Sequence, residues 1–348
     1  PSLLREFSAP VVLELDVTPD QRLVQLAHDT DPFNQWEAAQ QLCLQAALKA
    51  IASEETPNAV LSPELLNALS LVLKHPTLDA AFKELVLTLP SETYISEQLT
   101  AVDPQRVHAV REAMRLQLAT ALHADWVWAF DAHRENGIYE PDPVSSGRRA
   151  LSGLALTMLC LQGVHAKDNS WPHRTLLHFT KASNMTDRFN ALTALVQSGH
   201  PLSAEALAIF YKIFSNEALV IDKWFALQAG ASDRGGNILP TVRQLLQHPD
   251  FSMKNPNRAR SLVFSYCSAN PGAFHRSDAA GYVFWSDRVL EMDATNPQVA
   301  ARLARALDRW SHLTEPYRSA AKVAIERVAA KPDLSNDVRE VVSRALSQ

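Results

Sequence analysis

Two helix starts of the same design stand near the C-terminal end of this 348-residue chain, and their spacing constrains the fold more than any other feature. They read Asn255-Pro256-Asn257-Arg258-Ala259-Arg260 and Asn296-Pro297-Gln298-Val299-Ala300-Ala301-Arg302. Asparagine caps a helix because its side-chain oxygen accepts from an otherwise unpaired backbone N–H, and proline suits the first helical position because its missing donor costs nothing there. The asparagines stand 41 residues apart and Arg260 and Arg302 stand 42 apart, inside the roughly 40–47-residue period of HEAT and armadillo helix pairs. Successive repeats display equivalent positions on one side, so the spacing predicts that Arg260 and Arg302 face a common concave surface.

The rest of the chain agrees with an all-α, HEAT/armadillo-like helical-repeat superhelix. Its length exceeds the size at which a single core stops growing, which an array of repeats accommodates. After Asp31-Pro32, residues Trp36, Ala39, Cys43, Ala47 and Ile51 recur at helical steps, and Val107, Val110, Met114, Leu118 and Leu122 do so after Asp103-Pro104. Prolines punctuate the whole length, and His75-Pro76, His200-Pro201 and His248-Pro249 recur between apolar-periodic segments. The residue before proline is pushed out of the α region, so these pairs predict helix-to-helix turns, and turn chemistry suffices to explain the histidines. Asn136 to Gly147 and Gly230 to Asn237 read as loops, the first also as a hinge near 136–147 between two halves of the array. Leu3 to Asp16, with Val11, Val12, Leu13 and Leu15, is extended in character, a short β-strand without a sheet of its own.

Composition excludes several classes. No apolar run reaches the roughly 20 residues of a membrane span, so membrane insertion is not expected. A net charge of −5 argues against a general nucleic-acid binder, which needs surplus Lys and Arg to displace counterions. Cys43, Cys160 and Cys267 are far apart and odd in number, which predicts buried free thiols and a reducing compartment. The start has no basic segment followed by an apolar one, so a signal peptide is not expected; beginning at Pro1, the chain has lost its initiator Met or been cut from a longer protein.

No HExxH, G-x-S-x-G, Walker or G-x-G-x-x-G pattern occurs. His173 and His178 are five apart and point to different helix faces. His123, Asp125, Asp131 and His133 form only a loose set around Trp126 to Phe130, too mixed to name a metal. Neither a catalytic nor a metal-ligating residue is assigned. The positive signal is basic: Arg258 and Arg260, and Arg302, Arg305 and Arg309 at i, i+3, i+7, which on one helix face suit bidentate capture of carboxylates. The plain alternative is a solvated face paired with Asp308 or Glu315.

Over nearly its whole length the chain resembles the C-terminal portion of the bacterial aminopeptidase N family, the alanyl aminopeptidases of the gluzincin zinc metallopeptidases. The likeness is carried by Pro1 to Val11 (PSLLREFSAPV), Asn184 to Arg188 (NMTDR), Asp222 to Ala229 (DKWFALQA), Lys254 to Asn257 (KNPN), Asn296 to Ala300 (NPQVA) and Glu340 to Ser343 (EVVS). The resemblance implies that residues 1–16 end a β-sandwich domain and that 17–348 form a helical C-terminal cap over a catalytic domain that this sequence lacks. It implies zinc in the parent enzyme and no cofactor in this chain, the parent's catalytic and β domains and peptide substrates as partners, and a cytoplasmic setting. It implies no catalysis by this chain alone, and substrate contacts from Arg260, Arg302 and Gln298. A free-standing helical module that binds a protein or peptide is the competing reading; the orphan strand speaks against it, since a self-sufficient module has no reason to begin with an unpaired edge.

Overall fold

A computed structural model describes every residue except 1, 6, 7, 10, 12–14, 54, 136 and 348. The described residues form helices from Pro19–His28 to Asn336–Leu346 and no sheet; Val102 and Leu313 make an isolated parallel bridge. The strand expected over Val11–Leu15 rests on residues 12–14, which lie outside the described residues. Ahead of the first helix, Arg5 donates to Asp29 Oδ1 at 3.1 Å and Thr30 Oγ1 at 2.7 Å, and Asn34 Nδ2 donates to the Leu3 carbonyl at 3.1 Å. Partial burial opposes ionisation of Asp29, but the Asp31 amide, Ser2 and Arg5 together hold its carboxyl below the usual range.

Proline does what the sequence predicts. Thr18, Asp31, Ser62, Asp142, Asn255 and Asn296 each cap a helix whose first residue is Pro, the side-chain oxygen accepting a backbone N–H of the first turn. The His-Pro pairs share a device. The Nδ1 of His75, His200 and His248 faces the N–H two residues on, at 3.4, 3.2 and 3.2 Å, supplying an acceptor next to a proline that has no donor of its own. The loop expected over 136–147 is shorter than anticipated, because Asp142 caps and Pro143 to Gly147 already form the first turn of the helix Pro143–Ala166. Gly230 to Asn237 is irregular, and the helix Ile238–Leu245 comes directly after it.

Contacts divide the chain into two compact units, Pro1–Ser91 with Ala109–Ala206, and Glu92–His108 with Leu207–Gln348. In the first, the helix Pro143–Ala166 is central, packed on His123–His133, Ser170–Lys181, Met185–Ser198 and Ala80–Leu87. The NMTDR segment ties this packing together: Asn184 caps its own helix, while Arg188 donates to the carbonyls of Phe179 and Ala182 at 3.2 and 2.5 Å, satisfying the exposed end of the preceding one.

In the second unit helices stack pairwise: Ala280–Asp293 packs on Tyr317–Ala329, and Pro297–Ala304 on Asn336–Leu346. Tryptophan joins the pairs by burying its ring and donating its indole N–H to a helix carbonyl, Trp224 to Leu207 at 3.0 Å, Trp285 to Leu303 at 3.0 Å and Trp310 to Ala345 at 2.9 Å. Cys43, Cys160 and Cys267 are free and buried, and burial pushes the Cys43 and Cys160 thiols up to about 12.

Candidate functional site: an arginine-lined cavity in the second unit

Both matched helix starts form as predicted, and their asparagines cap them. Past the caps the two helices diverge. Pro256–Ala259 runs into a π-turn, Arg260–Phe264, whereas Pro297–Ala304 ends in a short 3-10 turn, Arg305–Leu307. Arg302 is therefore in the last helical turn, Arg305 in the 3-10 turn and Arg309 beyond it, so the single helix face expected from i, i+3, i+7 spacing does not exist. The three arginines nevertheless line one cavity of about 480 Å³.

Three segments wall this cavity. Arg302 to Leu313 supplies the arginines and Trp310; Phe264, Cys267, Pro271 and His275 supply an apolar side; and residues 93–104, including Glu97 and Val102, supply the third wall. The third wall is fixed by backbone pairing, Val102 N–H donating to His312 at 2.7 Å and Thr314 N–H to Val102 at 2.8 Å. Gln105 adds two bonds of 2.8 Å to the carbonyls of Gly272 and His275. The Trp310 indole, bonded to Ala345, pins the far edge.

Charge is unbalanced there. Arg302, Arg305 and Arg309 are exposed, and none of their guanidinium groups has a hydrogen bond or ion pair with a described residue. Of the partners a solvated face would have used, Asp308 lines the cavity but lies 4.0 Å from Arg344, and Glu315 holds Arg318 at 3.0 Å. Three guanidinium groups beside apolar walls have the chemistry to suit an anionic group with an apolar body. His275 also lines the cavity, its Nδ1 2.9 Å from the Tyr282 hydroxyl.

Burial pulls the His275 pKa down to about 4, so its imidazole is neutral in the folded protein at pH 5 to 7. Desolvation likewise lowers His133, His178 and His200. In each case the unfolded chain takes up a proton first, so stability is complete above about pH 6.5 and falls as the pH drops toward the folded values. The full shift amounts to about 2 kcal/mol between pH 7.5 and 5, an upper value because part of His275 opens on the cavity. Denaturant midpoints at the two pH values should show this loss, and a smaller one in His275→Asn; equal losses in the two proteins would contradict the assignment.

The remaining residues singled out by sequence are dispersed. Arg260 is exposed, with only a long 3.5 Å contact to Asn257, and Gln298 is exposed on the next repeat; neither lines the cavity that Arg302 lines. Arg258 is buried, its Nε 2.8 Å from Asp222 Oδ1 and its guanidinium 5.0 Å above the Phe225 ring, so it joins the NPNR and DKWF segments rather than facing a ligand. Asp125 serves Lys74 and Ser70, Asp131 serves Arg174, and His133 bonds to the Ala129 carbonyl. Among the described residues no group of three or more His, Cys, Asp or Glu side chains could hold a metal ion. Sequence reasoning missed the wall at 93–104 and His275, since nothing local marks a segment that packs some two hundred residues away.

Comparison with known proteins gives this helical architecture a family. Residues 19–347 match the domain of unknown function DUF3458_C, ARM repeats, and the chain belongs to that family. Over 346 residues, 99 % of its length, it is 38 % identical to aminopeptidase N of Caulobacter vibrioides, with 36 % identity to that of Haemophilus influenzae and 33 % to that of Escherichia coli. The chain spans 39 % of the length of each of these relatives, and the part matched is C-terminal. Among solved structures, aminopeptidase A of Legionella pneumophila in complex with aspartic acid shares the fold, with a TM-score of 0.85 at 24 % identity over 99 % of this chain and 40 % of that one. The resemblance read from the motifs, and the all-helical repeat fold with it, are borne out.

Proposed function

We propose that this chain is the helical cap of a zinc aminopeptidase that releases N-terminal residues from peptides. In this reading residues 1–16 close a preceding β-sandwich, 17–348 form the cap, and the partners are the catalytic and β domains of the same enzyme. The observation that carries the reading is the unpaired arginine set on the cavity. A peptide carboxylate is planar and matches the guanidinium fork, and the apolar walls receive the side chains beside it. Arg302 is the central contact, with Arg305 and Arg309 beside it; Arg260 and Gln298 meet the peptide outside the cavity. A cap of this kind also keeps bulk water and folded proteins from the reacting bond.

The described residues do not fit a zinc site, since no three His, Cys, Asp or Glu side chains come together to hold a metal ion, and in this reading zinc is held by the catalytic domain of the parent enzyme. The chain then shapes access and binds, without bond cleavage of its own. Three buried free thiols accord with a cytoplasmic setting, and no described helix is long and apolar enough to cross a membrane.

The test is hydrolysis of an alanyl chromogenic amide with added zinc. The purified chain alone should be inactive, and mixing it with the separately produced N-terminal remainder of the parent enzyme should raise that fragment's activity. Turnover by the chain alone, or no effect on mixing, would contradict the cap reading.

A further inference from the structure

A second cavity, also of about 480 Å³, lies wholly within the first unit. It gathers positive charge around one buried ring. The Arg134 guanidinium sits 5.9 Å from the Phe130 ring centroid, and that of Arg174 sits 5.4 Å from the same ring and 4.5 Å from Trp171. His178 meets Phe130 edge-on at 5.6 Å, and Lys181 stands one helical turn later on the cavity rim. Phe130 and Trp171 are themselves buried, so they act as fixed posts that hold the two guanidinium groups in place. Stacking of this kind leaves the N–H edges of arginine free to donate.

Two carboxylates, Glu135 and Asp187, also line the cavity, and neither forms an ion pair with Arg134, Arg174 or Lys181. Arg174 shares Asp131 at 2.7 Å, but the charged groups of Arg134 and Lys181 have no hydrogen bond or ion pair with a described residue. Glu135 is taken by Arg148. Asp187 accepts from the Asn184 amide at 2.7 Å within the helix cap. Burial holds the His178 pKa below its usual range, opposed by the Asp187 carboxylate and reinforced by Arg134 and Arg174, so charges of both signs are felt at the ring.

We propose that this cavity is a binding site for a phosphate-bearing anion, with Arg134, Arg174 and Lys181 donating to its non-ester oxygens. Three cationic side chains from two segments line one cavity, and several separate donors suit tetrahedral oxygens, whereas a planar carboxylate uses one fork at a time. Space beside Leu177 accommodates the organic part of a phosphomonoester, and free inorganic phosphate presents the same oxygens. The site does not depend on the aminopeptidase reading.

Calorimetric titration of the purified chain with inorganic phosphate and with glycerol phosphate, at ionic strength matched by chloride, tests this, together with the NMR signal of the His178 ring. The expected result is saturable binding of one anion that moves the His178 signal with the same Kd. Arg134→Gln and Lys181→Gln, both at exposed positions, should each weaken it by about ten-fold, the loss of one charged hydrogen bond. Unchanged thermal unfolding of the variants would show that the fold survives. Tighter binding of glycerol phosphate assigns the site to an ester, and equal or weaker binding assigns it to free phosphate. Absence of saturable heat, binding that leaves His178 unmoved, or full affinity in both variants would overturn the proposal.

Discussion

An Asp222→Ala variant should lose about 3 kcal/mol of stability, because the substitution leaves the buried Arg258 charge without a counter-ion. Arg258 is already imperfectly satisfied. Its Nε lies 2.8 Å from Asp222 Oδ1 but is not aligned as a hydrogen bond, and its Nη1 is buried without a partner. The pair is therefore held by charge and by the Phe225 ring beneath it. A double variant, Asp222→Leu with Arg258→Met, should recover most of the loss, since matched apolar residues remove the desolvation penalty on both sides. Denaturant midpoints of the three proteins decide the matter; a single variant as stable as the parent would show that the pair contributes nothing. Arg258 also stands in the helix start that carries Arg260.

Gly281→Ala should be as severe, at about 3 kcal/mol, because extra volume in a packed core displaces neighbours that have nowhere to go. A Cβ at position 281 falls 2.0 Å from the Phe274 carbonyl oxygen and 3.2 Å from the Tyr266 hydroxyl. The atom it meets first is backbone, so no side-chain rotation relieves the contact, and the segment that moves carries Pro271 and His275 of the arginine cavity. Gly137→Ala is the control, since nothing lies within 4 Å of its added Cβ. Thermal unfolding should shift markedly downward for the first and hardly at all for the second. Equal shifts would mean that the close approach at Gly281 is not what holds the segment.

The legible parts of this fold were the local ones. Caps at Asn255 and Asn296 and the three His-Pro turns are set by one or two residues each, and the structure places them as the sequence predicts. Apolar steps such as Val107, Val110, Met114 and Leu118 announced a buried helix face, and all four are buried. Arg302, Arg305 and Arg309 were legible as members of the arginine site, whereas Arg260 and Gln298 fall outside its cavity and its geometry was not legible. Periodicity assumes that a helix continues, and the helix carrying Arg302 ends at Ala304. Nothing near Arg309 reports that residues 93–104 pack against it, since that contact is set by the tertiary fold rather than by local preference. The cluster around Phe130 was invisible for the same reason: Arg134 and Arg174 belong to different segments, and only packing brings them to one ring.

If this chain reads the peptide beyond the bond being cut, the effect of Arg302 must depend on whether the substrate has a free carboxylate. The decisive quantities are KM and kcat of the complete aminopeptidase carrying Arg302→Ala, on an alanyl chromogenic amide and on a four-residue peptide with a free carboxylate. KM should rise about ten-fold for the peptide alone, the loss of one charge-assisted contact, with kcat and the amide unchanged. Equal changes on both substrates, or none on either, would rule out a carboxylate contact at Arg302.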